Sequence, residues 1–177
     1  KGAFPADMHG QKQYGNGIKA FAINLLVCQM VALNRVQKLL KSMLGEVLSE
    51  ATLLKYLLRL HQALEDWEQQ ASEQLLKAEA INVDETSLRV ENKNHWIHVY
   101  SSGDITLKKL HRRRGKEAIN EINIIPQYEG VIVHDCWSSY LSYTHCGHGL
   151  CGSHLLRELT FTMDANGYAW ARNMKRL

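Results

Sequence analysis

The sequence lacks an uninterrupted apolar segment long enough to cross a membrane. An apolar stretch at residues 18–33 is broken by Lys19, Asn24 and Gln29, whereas a transmembrane helix needs about 20 predominantly apolar residues in succession. Its apolar residues recur three and four positions apart, which predicts a buried helix. We therefore expect no part of this chain to be embedded in a membrane.

Cysteine is also scarce, with four residues among 177. Small secreted domains that depend on disulfide bonds have a much denser cysteine framework, so the sequence favours a reducing compartment. The chain begins with Lys1 rather than Met and shows no basic segment followed by an apolar one, which is the pattern of a secretory signal. We interpret it as a fragment whose native targeting signals could have been removed.

Neither sign of charge is in large excess, since the net charge is +3 at pH 7. Hydrophobic residues make up 45% of the chain, which is enough to bury a core as one domain, or as one domain with an appendage. Mild basicity is compatible with nucleic-acid binding but does not demonstrate it.

Residues 1–78 are predicted to form a mostly helical region. A helix that ends near Gly45 and restarts behind Ser49 gives a helix-turn-helix outline. The second helix is predicted to be long, with an apolar stripe from Leu53 to Leu75 that is core or packs on another subunit. Its other face would repel DNA, so we favour a simple pair of antiparallel helices over a DNA-reading motif. The acidic residues on that face are Glu65, Asp66, Glu68 and Glu73.

Residues 79–177 change to the periodicity of strands. Three strands are predicted at residues 81–90, 95–100 and 105–110, followed by a helix at residues 116–124. The β-branched run at residues 131–133 predicts a fourth strand that is covered on both faces. A helical crossover would make this strand parallel to one of the first three. The predicted fold class is α/β (α+β), a mixed sheet with flanking helices preceded by the helical region.

Two aspartates, Asp84 and Asp135, follow or end apolar strands of this sheet. If their strands are neighbours, the two carboxylates meet at one edge, where open α/β sheets build ligand sites. Two adjacent carboxylates repel each other unless a cation lies between them. Oxygen ligands suit Mg²⁺ or Mn²⁺, and paired ions can drive in-line phosphoryl transfer.

Several motifs together resemble, in their order along the chain, bacterial insertion-sequence transposases of the family called insertion sequence sixty-six. These motifs are VDET at residues 83–86, HWIHV at 95–99, RRG at 113–115, GVIVHDCWSSY at 130–140 and CGSHLLREL at 151–159. The helical region is similar too, in FPADM at 4–8, QYG at 13–15 and the segment 44–53. The likeness therefore covers essentially the whole chain.

This resemblance implies a ribonuclease-H-like catalytic core of the DDE type, in which two Asp and one Glu bind divalent metal ions. Asp84 would be the first acid and Asp135 the second, with Mg²⁺ or Mn²⁺ as cofactor. The implied reaction is metal-dependent DNA cleavage and strand transfer during transposition. The implied partners are the transposon ends and target DNA, with a homo-oligomer as the active complex and no membrane. The implied location is the bacterial cytoplasm, in association with the nucleoid.

The third acid of this family is expected downstream of an inserted segment, beyond Leu177. Glu158 follows Asp135 on a predicted helix, but it lies inside CGSHLLREL, and we do not assign it that role. We therefore expect residues 1–177 to be inactive alone as an enzyme.

A basic run follows the third strand. Its members are Lys108, Lys109, Arg112, Arg113, Arg114 and Lys116. Contact with DNA phosphates is one interpretation, and a solvated edge of the sheet is the other. Arg114 is the member that falls within the RRG motif, directly before Gly115.

A cluster of Cys and His residues offers enough donors for Zn²⁺, at Cys146, His148, Cys151 and His154. The spacing is not that of a standard zinc finger, and the resemblance requires only Cys151 and His154. We favour a structural role, or a place at the active-site rim for Cys151, His154 and Arg157, over zinc binding.

Two other functions stay open at this point. One is a non-catalytic DNA-binding regulator that uses the segment around Gly45 and Ser49. The other is a ribonuclease-H-like nuclease in repair or resolution, with the same acids and no strand transfer.

Overall fold

The structure is a computed structural model, and it describes residues 14–176. The motif FPADM and the first residue of QYG lie outside the described residues. The chain divides between Glu65 and Asp66 into two compact units, which we describe separately. A division into compact units does not by itself define a functional domain, so the boundary predicted after residue 78 stays a prediction.

From residue 14 onward, the first unit contains three α-helices. They are α1 (Asn16–Ile23), which continues as a π-helical segment (Asn24–Cys28), α2 (Leu33–Leu44) and α3 (Glu50–Ala63). The helix predicted over residues 18–33 is therefore interrupted, because Met30 has a left-handed φ of 53°, which a continuous right-handed helix does not allow. The core of this unit consists of Ala22, Val36, Leu40, Leu48, Leu53 and Tyr56.

The connection between α2 and α3 has the predicted capping residues. Gly45 ends α2 with a φ of 70°, and its N–H donates to the Lys41 carbonyl at 3.0 Å. Ser49 caps α3, since its Oγ accepts from the Thr52 N–H at 3.2 Å. The long second helix predicted through Leu75 is divided into two helices at Leu64. The φ of −92° and ψ of 0° at Leu64 depart from those of a regular α-helix.

The second unit follows this break. It contains α4 (Glu65–Lys77), β1 (Ala80–Val90), β2 (Lys93–Ser102), β3 (Ile105–His111), α5 (Lys116–Ile122), β4 (Val131–His134), α6 (Ser138–Leu141), β5 (Gly147–Leu150), α7 (Gly152–Asn166) and α8 (Ala169–Met174). All four predicted strands are present, each within a few residues of its predicted bounds.

The five strands form one mixed sheet in the order β3-β2-β1-β4-β5. The first three strands pair antiparallel, and β4 is parallel to both β1 and β5. Glu91 and Asn92 join β1 to β2 with positive φ values of 49° and 61°, the backbone of a tight hairpin turn. The predicted α/β fold class, a mixed sheet with flanking helices, is confirmed, and its ribonuclease-H-like character stays a prediction.

One face of the sheet carries the main core. Its largest fully buried side chains include Ile81, Tyr100, Ile119, Tyr128 and Ile132. The Tyr128 hydroxyl donates to the Ala78 carbonyl at 2.8 Å. Gly130 lies directly beside this ring, and a Cβ there would be 2.7 Å from the Glu79 carbonyl oxygen. Only glycine therefore fits where the chain enters β4.

Among residues 14–176, no helix combines the length and the apolar character needed to cross a bilayer.

Candidate active site

The parallel pairing of β1 with β4 ends two residues before the two predicted acids, and Asp84 lies inside β1 rather than at its end. Ala80 pairs with Val131, and the parallel ladder continues to Asn82 and Val133. Asp84 and Asp135 each follow this last pair by two residues, and Asp135 directly follows β4. Adjacent strands lie about 4.8 Å apart, so the two backbones are neighbours up to that pair.

The two carboxylates have different surroundings. Asp84 is exposed, and its Oδ1 accepts from the Glu85 N–H at 2.9 Å. The Asp135 side chain is 25% exposed. Its Oδ1 accepts from the Trp137 N–H at 3.1 Å, and its Oδ2 lies 3.9 Å from Arg114 Nη2. Within residues 14–176, no three Asp, Glu, His or Cys side chains form a group that could hold a metal ion.

A third carboxylate, Glu85, adjoins this site and was not among the predicted residues. Its side chain is 0% exposed. The Tyr140 hydroxyl donates to Oε1, and Arg114 Nε and Nη2 both lie 3.4 Å from Oε2. Burial raises the pKa of Glu85, and the Asp135 charge adds to this, while Tyr140 and Arg114 oppose it. The alternation of side chains along a strand could have singled out Glu85 in the sequence, because it places Glu85 on the face opposite Asp84.

Arg114 connects Glu85 to Asp135. Its Cζ lies 4.2 Å from the centre of the Trp137 ring and 5.1 Å from that of Trp96. An arginine held against two indole rings gains cation–π attraction in addition to its ion pairs. Arg114 was predicted as one of the DNA-binding residues. Within the protein, its ion-pair partners are Glu85 and Asp135.

Two histidines hold the turn that carries Arg114. The buried His98 is 1% exposed, and its Nε2–H donates to the Arg113 carbonyl at 3.2 Å. Burial lowers the pKa of His98, so the ring is neutral in the folded protein at pH 7. His111 Nδ1 accepts from the Arg113 N–H at 2.9 Å, and its Nε2 contacts Glu121 at 2.9 Å. Both backbone groups of Arg113, its N–H and its carbonyl, are therefore held by histidine side chains, which fixes the residue before Arg114.

The other members of the basic run differ in their surroundings. Lys109 pairs with Glu68 at 2.5 Å, and Arg113 pairs with Glu117 one helical turn later. Lys116 Nζ lies 5.2 Å from the centre of the Tyr143 ring. The remaining two members, Lys108 and Arg112, are exposed and form no ion pair within residues 14–176.

Cys151 directly follows β5, as Asp135 directly follows β4. Leu150 pairs with His134 at the end of β5, and the Cys151 N–H donates to the His134 carbonyl at 2.8 Å. The neighbouring His154 side chain lowers the pKa of the Cys151 thiol, assisted by the His154 N–H at the start of α7. Arg157 is exposed on the same helix.

The other candidate zinc ligands contact protein groups. His148 Nε2 lies 2.8 Å from the Tyr143 carbonyl, and His148 Nδ1 lies 3.0 Å from His134 Nε2. The buried Cys146 thiol donates to the same Tyr143 carbonyl at 3.6 Å. Zinc binding at this cluster would have to displace these contacts.

Comparison with known proteins gives a family match over nearly the whole chain. The model of a family described as Transposase IS66 family, where IS66 stands for insertion sequence sixty-six, matches residues 11–177. No curated protein matches the chain.

Solved structures of the integrase catalytic core domain of HTLV-2 in complex with magnesium also show similarity. The trimeric form is 11% identical with a TM-score of 0.33, covering 55% of this chain and 79% of that one. The dimeric form is 14% identical with a TM-score of 0.32, covering 54% and 81%. Similarity this weak supports no argument about fold or function.

Proposed function

This chain belongs to the Transposase IS66 family, and we propose that it carries out metal-dependent DNA cleavage and strand transfer in the transposition of an insertion sequence. Family membership makes it a DNA-acting enzyme of the polynucleotidyl transferase kind. The observation that supports the finer proposal is the parallel pairing of β1 with β4 up to Asn82 and Val133, because Asp84 and Asp135 each follow this pair by two residues.

The donors at this edge fit Mg²⁺ or Mn²⁺, because both are carboxylates and hard divalent cations prefer oxygen ligands. Asp84 and Asp135 would hold the ion. A bound cation there would activate the attacking oxygen and stabilise charge on the scissile phosphate. The protein orients Asp135 through the Trp137 N–H and the Arg114 guanidinium.

We also propose that residues 1–177 alone cleave DNA poorly. In-line phosphoryl transfer depends on accurate positioning of the reacting groups and ions, and two carboxylates supply few of the ligands that two ions need. In the described range 14–176, no further Asp, Glu, His or Cys completes a three-residue group with them. The third acid, expected beyond Leu177 from the family resemblance, stays a prediction.

The basic run is proposed to bind the DNA backbone. Lys108 and Arg112 are its strongest candidates, because no acid within residues 14–176 pairs with them. Lys109, Arg113 and Arg114 would have to exchange an internal partner for a phosphate, and Lys116 would leave the Tyr143 ring.

The remaining proposals concern the rim and the assembly. Cys151, His154 and Arg157 are proposed to line the rim of the site, supported by the position of Cys151 directly after β5, as Asp135 follows β4. We propose a homo-oligomer as the active complex, and the bacterial nucleoid as the place of action. Light scattering of the protein with and without transposon-end DNA tests the oligomer.

A nicking assay with Mg²⁺ and Mn²⁺ tests the proposed reaction, using residues 1–177 and a longer chain that includes the downstream acid. We expect cleavage by the longer chain, abolished by Asp84→Ala or Asp135→Ala and unaffected by Asp104→Ala in an exposed turn. Cleavage that survives Asp84→Ala would refute the metal site. Strong cleavage by the short chain that is lost in Glu158→Gln would make Glu158 the third acid.

The same assay separates the two other functions. A nuclease cleaves without joining a DNA 3′-hydroxyl end to target DNA. A regulator binds DNA and does neither.

A further inference from the structure

We propose that Glu85 is a positioning residue that holds Arg114 beside Asp135 and prevents this arginine from neutralising the Asp135 carboxylate. The proposal rests on the metal site proposed at Asp84 and Asp135, and it adds a residue on which the metal affinity of that site depends.

Arg114 is shared unequally between the two acids. Its Nε and Nη2 both lie 3.4 Å from Glu85 Oε2. Its Nη2 lies 3.9 Å from Asp135 Oδ2. Because the attraction between opposite charges grows as their separation falls, Glu85 is the main partner of Arg114, and Asp135 is the weaker one.

Neither end of the Glu85–Arg114 pair is free to move far. Glu85 is fully buried on β1, and the Tyr140 hydroxyl holds its Oε1. The Arg114 guanidinium lies between the Trp96 and Trp137 rings. A guanidinium held in this way can shift its hydrogen bonds between neighbouring acceptors, but it cannot leave for solvent without losing both ring contacts.

Trp137 joins this pair to Asp135. Its N–H donates to Asp135 Oδ1 at 3.1 Å, while its ring lies against Arg114. The carboxylate is therefore oriented through one oxygen, and its other oxygen lies near a cation that is already engaged by Glu85. This arrangement leaves the partly exposed Asp135 carboxylate without a close ion pair, so that its oxygens are available to a cation.

Removing the Glu85 charge should redirect Arg114. In Glu85→Gln, the shape of the side chain is kept, and among residues 14–176 the carboxylate still paired with Arg114 is that of Asp135. A divalent cation would then have to displace a full ion pair. We expect Mn²⁺ affinity to fall about tenfold, within the range measured for coupled neighbouring charges. Replacing Arg114 as well, in Glu85→Gln/Arg114→Gln, removes the competing charge and should restore affinity to within about threefold of the wild type.

The experiment is a Mn²⁺ titration of residues 1–177, in which electron paramagnetic resonance measures the free ion. The variants are Glu85→Gln, Arg114→Gln, the double variant and Asp135→Asn. Glu129→Gln is the matched control, since it removes an exposed glutamate from the same unit. Circular dichroism and thermal melting of each variant establish that it is folded. Arg114→Gln alone should bind Mn²⁺ no more weakly than the wild type, which gives a test independent of Glu85→Gln.

The outcomes separate this inference from the proposed function. Wild-type protein without saturable Mn²⁺ binding, or with binding unchanged by Asp135→Asn, overturns the metal site and this inference with it. If binding depends on Asp135 but Glu85→Gln binds as the wild type does, only the role of Glu85 is overturned. The role of Glu85 is also overturned if the double variant binds Mn²⁺ as weakly as Glu85→Gln does, or if Arg114→Gln binds Mn²⁺ more weakly than the wild type. In either case the effect does not act through the Arg114 charge.

Discussion

The two faces of β1 place the consecutive carboxylates of Asp84 and Glu85 in opposite surroundings. Asp84 lies on the exposed face, and the contact recorded for its carboxylate is with the adjacent Glu85 N–H. Glu85 lies on the core face, where Tyr140 and Arg114 occupy both of its oxygens. The comparison teaches that an acid available for a ligand and an acid required for packing can be consecutive in sequence, because strand alternation separates them.

The largest expected effect contrasts these two acids in stability. We expect Glu85→Ala to lower the free energy of unfolding by about 3 kcal/mol, because it leaves a half-buried guanidinium and a buried phenol without their partner. Asp84→Ala should change it by less than about 0.5 kcal/mol. Urea unfolding measures both. Equal losses of unfolding free energy in the two variants would contradict this contrast between Asp84 and Glu85.

A smaller effect tests how tightly the core face is packed. We expect Gly130→Ala to cost about 2 kcal/mol, since the added Cβ meets the Tyr128 ring and the Glu79 carbonyl. Gly152→Ala, at the start of α7 with no atom within 4 Å of the new Cβ, should be neutral or slightly stabilising. The same unfolding measurement compares the pair. A neutral Gly130→Ala would mean that the entry to β4 can relax.

Exposed and internally paired charges should also differ in DNA binding. We expect Arg112→Ala to weaken binding to all sequences alike and to reduce the salt slope by about one unit. Arg113→Ala should have less effect, because Glu117 already pairs with that guanidinium. Fluorescence anisotropy at several salt concentrations measures both. Unchanged affinity and slope in Arg112→Ala would identify the run as a solvated edge.

The smallest effect concerns pH and the buried His98 on the core face of β2. Its pKa is lowered in the folded state, chiefly by burial, so the unfolded chain binds the proton more readily. Stability should therefore fall as the pH drops below about 6.5, the ordinary pKa of histidine. His98→Gln should flatten this part of the stability profile. Parallel profiles for His98→Gln and the wild type would contradict the assignment.

Local features of the fold were predictable from sequence. The β-branched run at residues 131–133 predicted β4, and Gly45 and Ser49 predicted the connection between α2 and α3, because propensity and capping depend on neighbouring residues. The break at Leu64 was not predictable in this way. No glycine or proline marks it, and the apolar stripe continues through it.

The site was predictable only in part, for a different reason. The resemblance and the strand order pointed to Asp84 and Asp135, whose catalytic roles stay predictions. The role of Glu85 depends on partners 29 and 55 positions away, Arg114 and Tyr140. Such partners are fixed by tertiary packing, which residue spacing does not encode. The same packing gives Lys109 an acidic partner 41 positions away, Glu68, which a charge run cannot reveal.

The parallel pairing of β1 with β4 has a consequence for the order of folding. β1 and β2 are joined by a two-residue turn, whereas Ala80 and its partner Val131 are 131 − 80 = 51 positions apart. Closing the longer loop costs more chain entropy, and contacts distant in sequence form more slowly. The hairpin that carries Asp84 therefore forms before Asp135 arrives beside it. We expect the two proposed metal ligands to come together late in folding, when the hairpin has already formed.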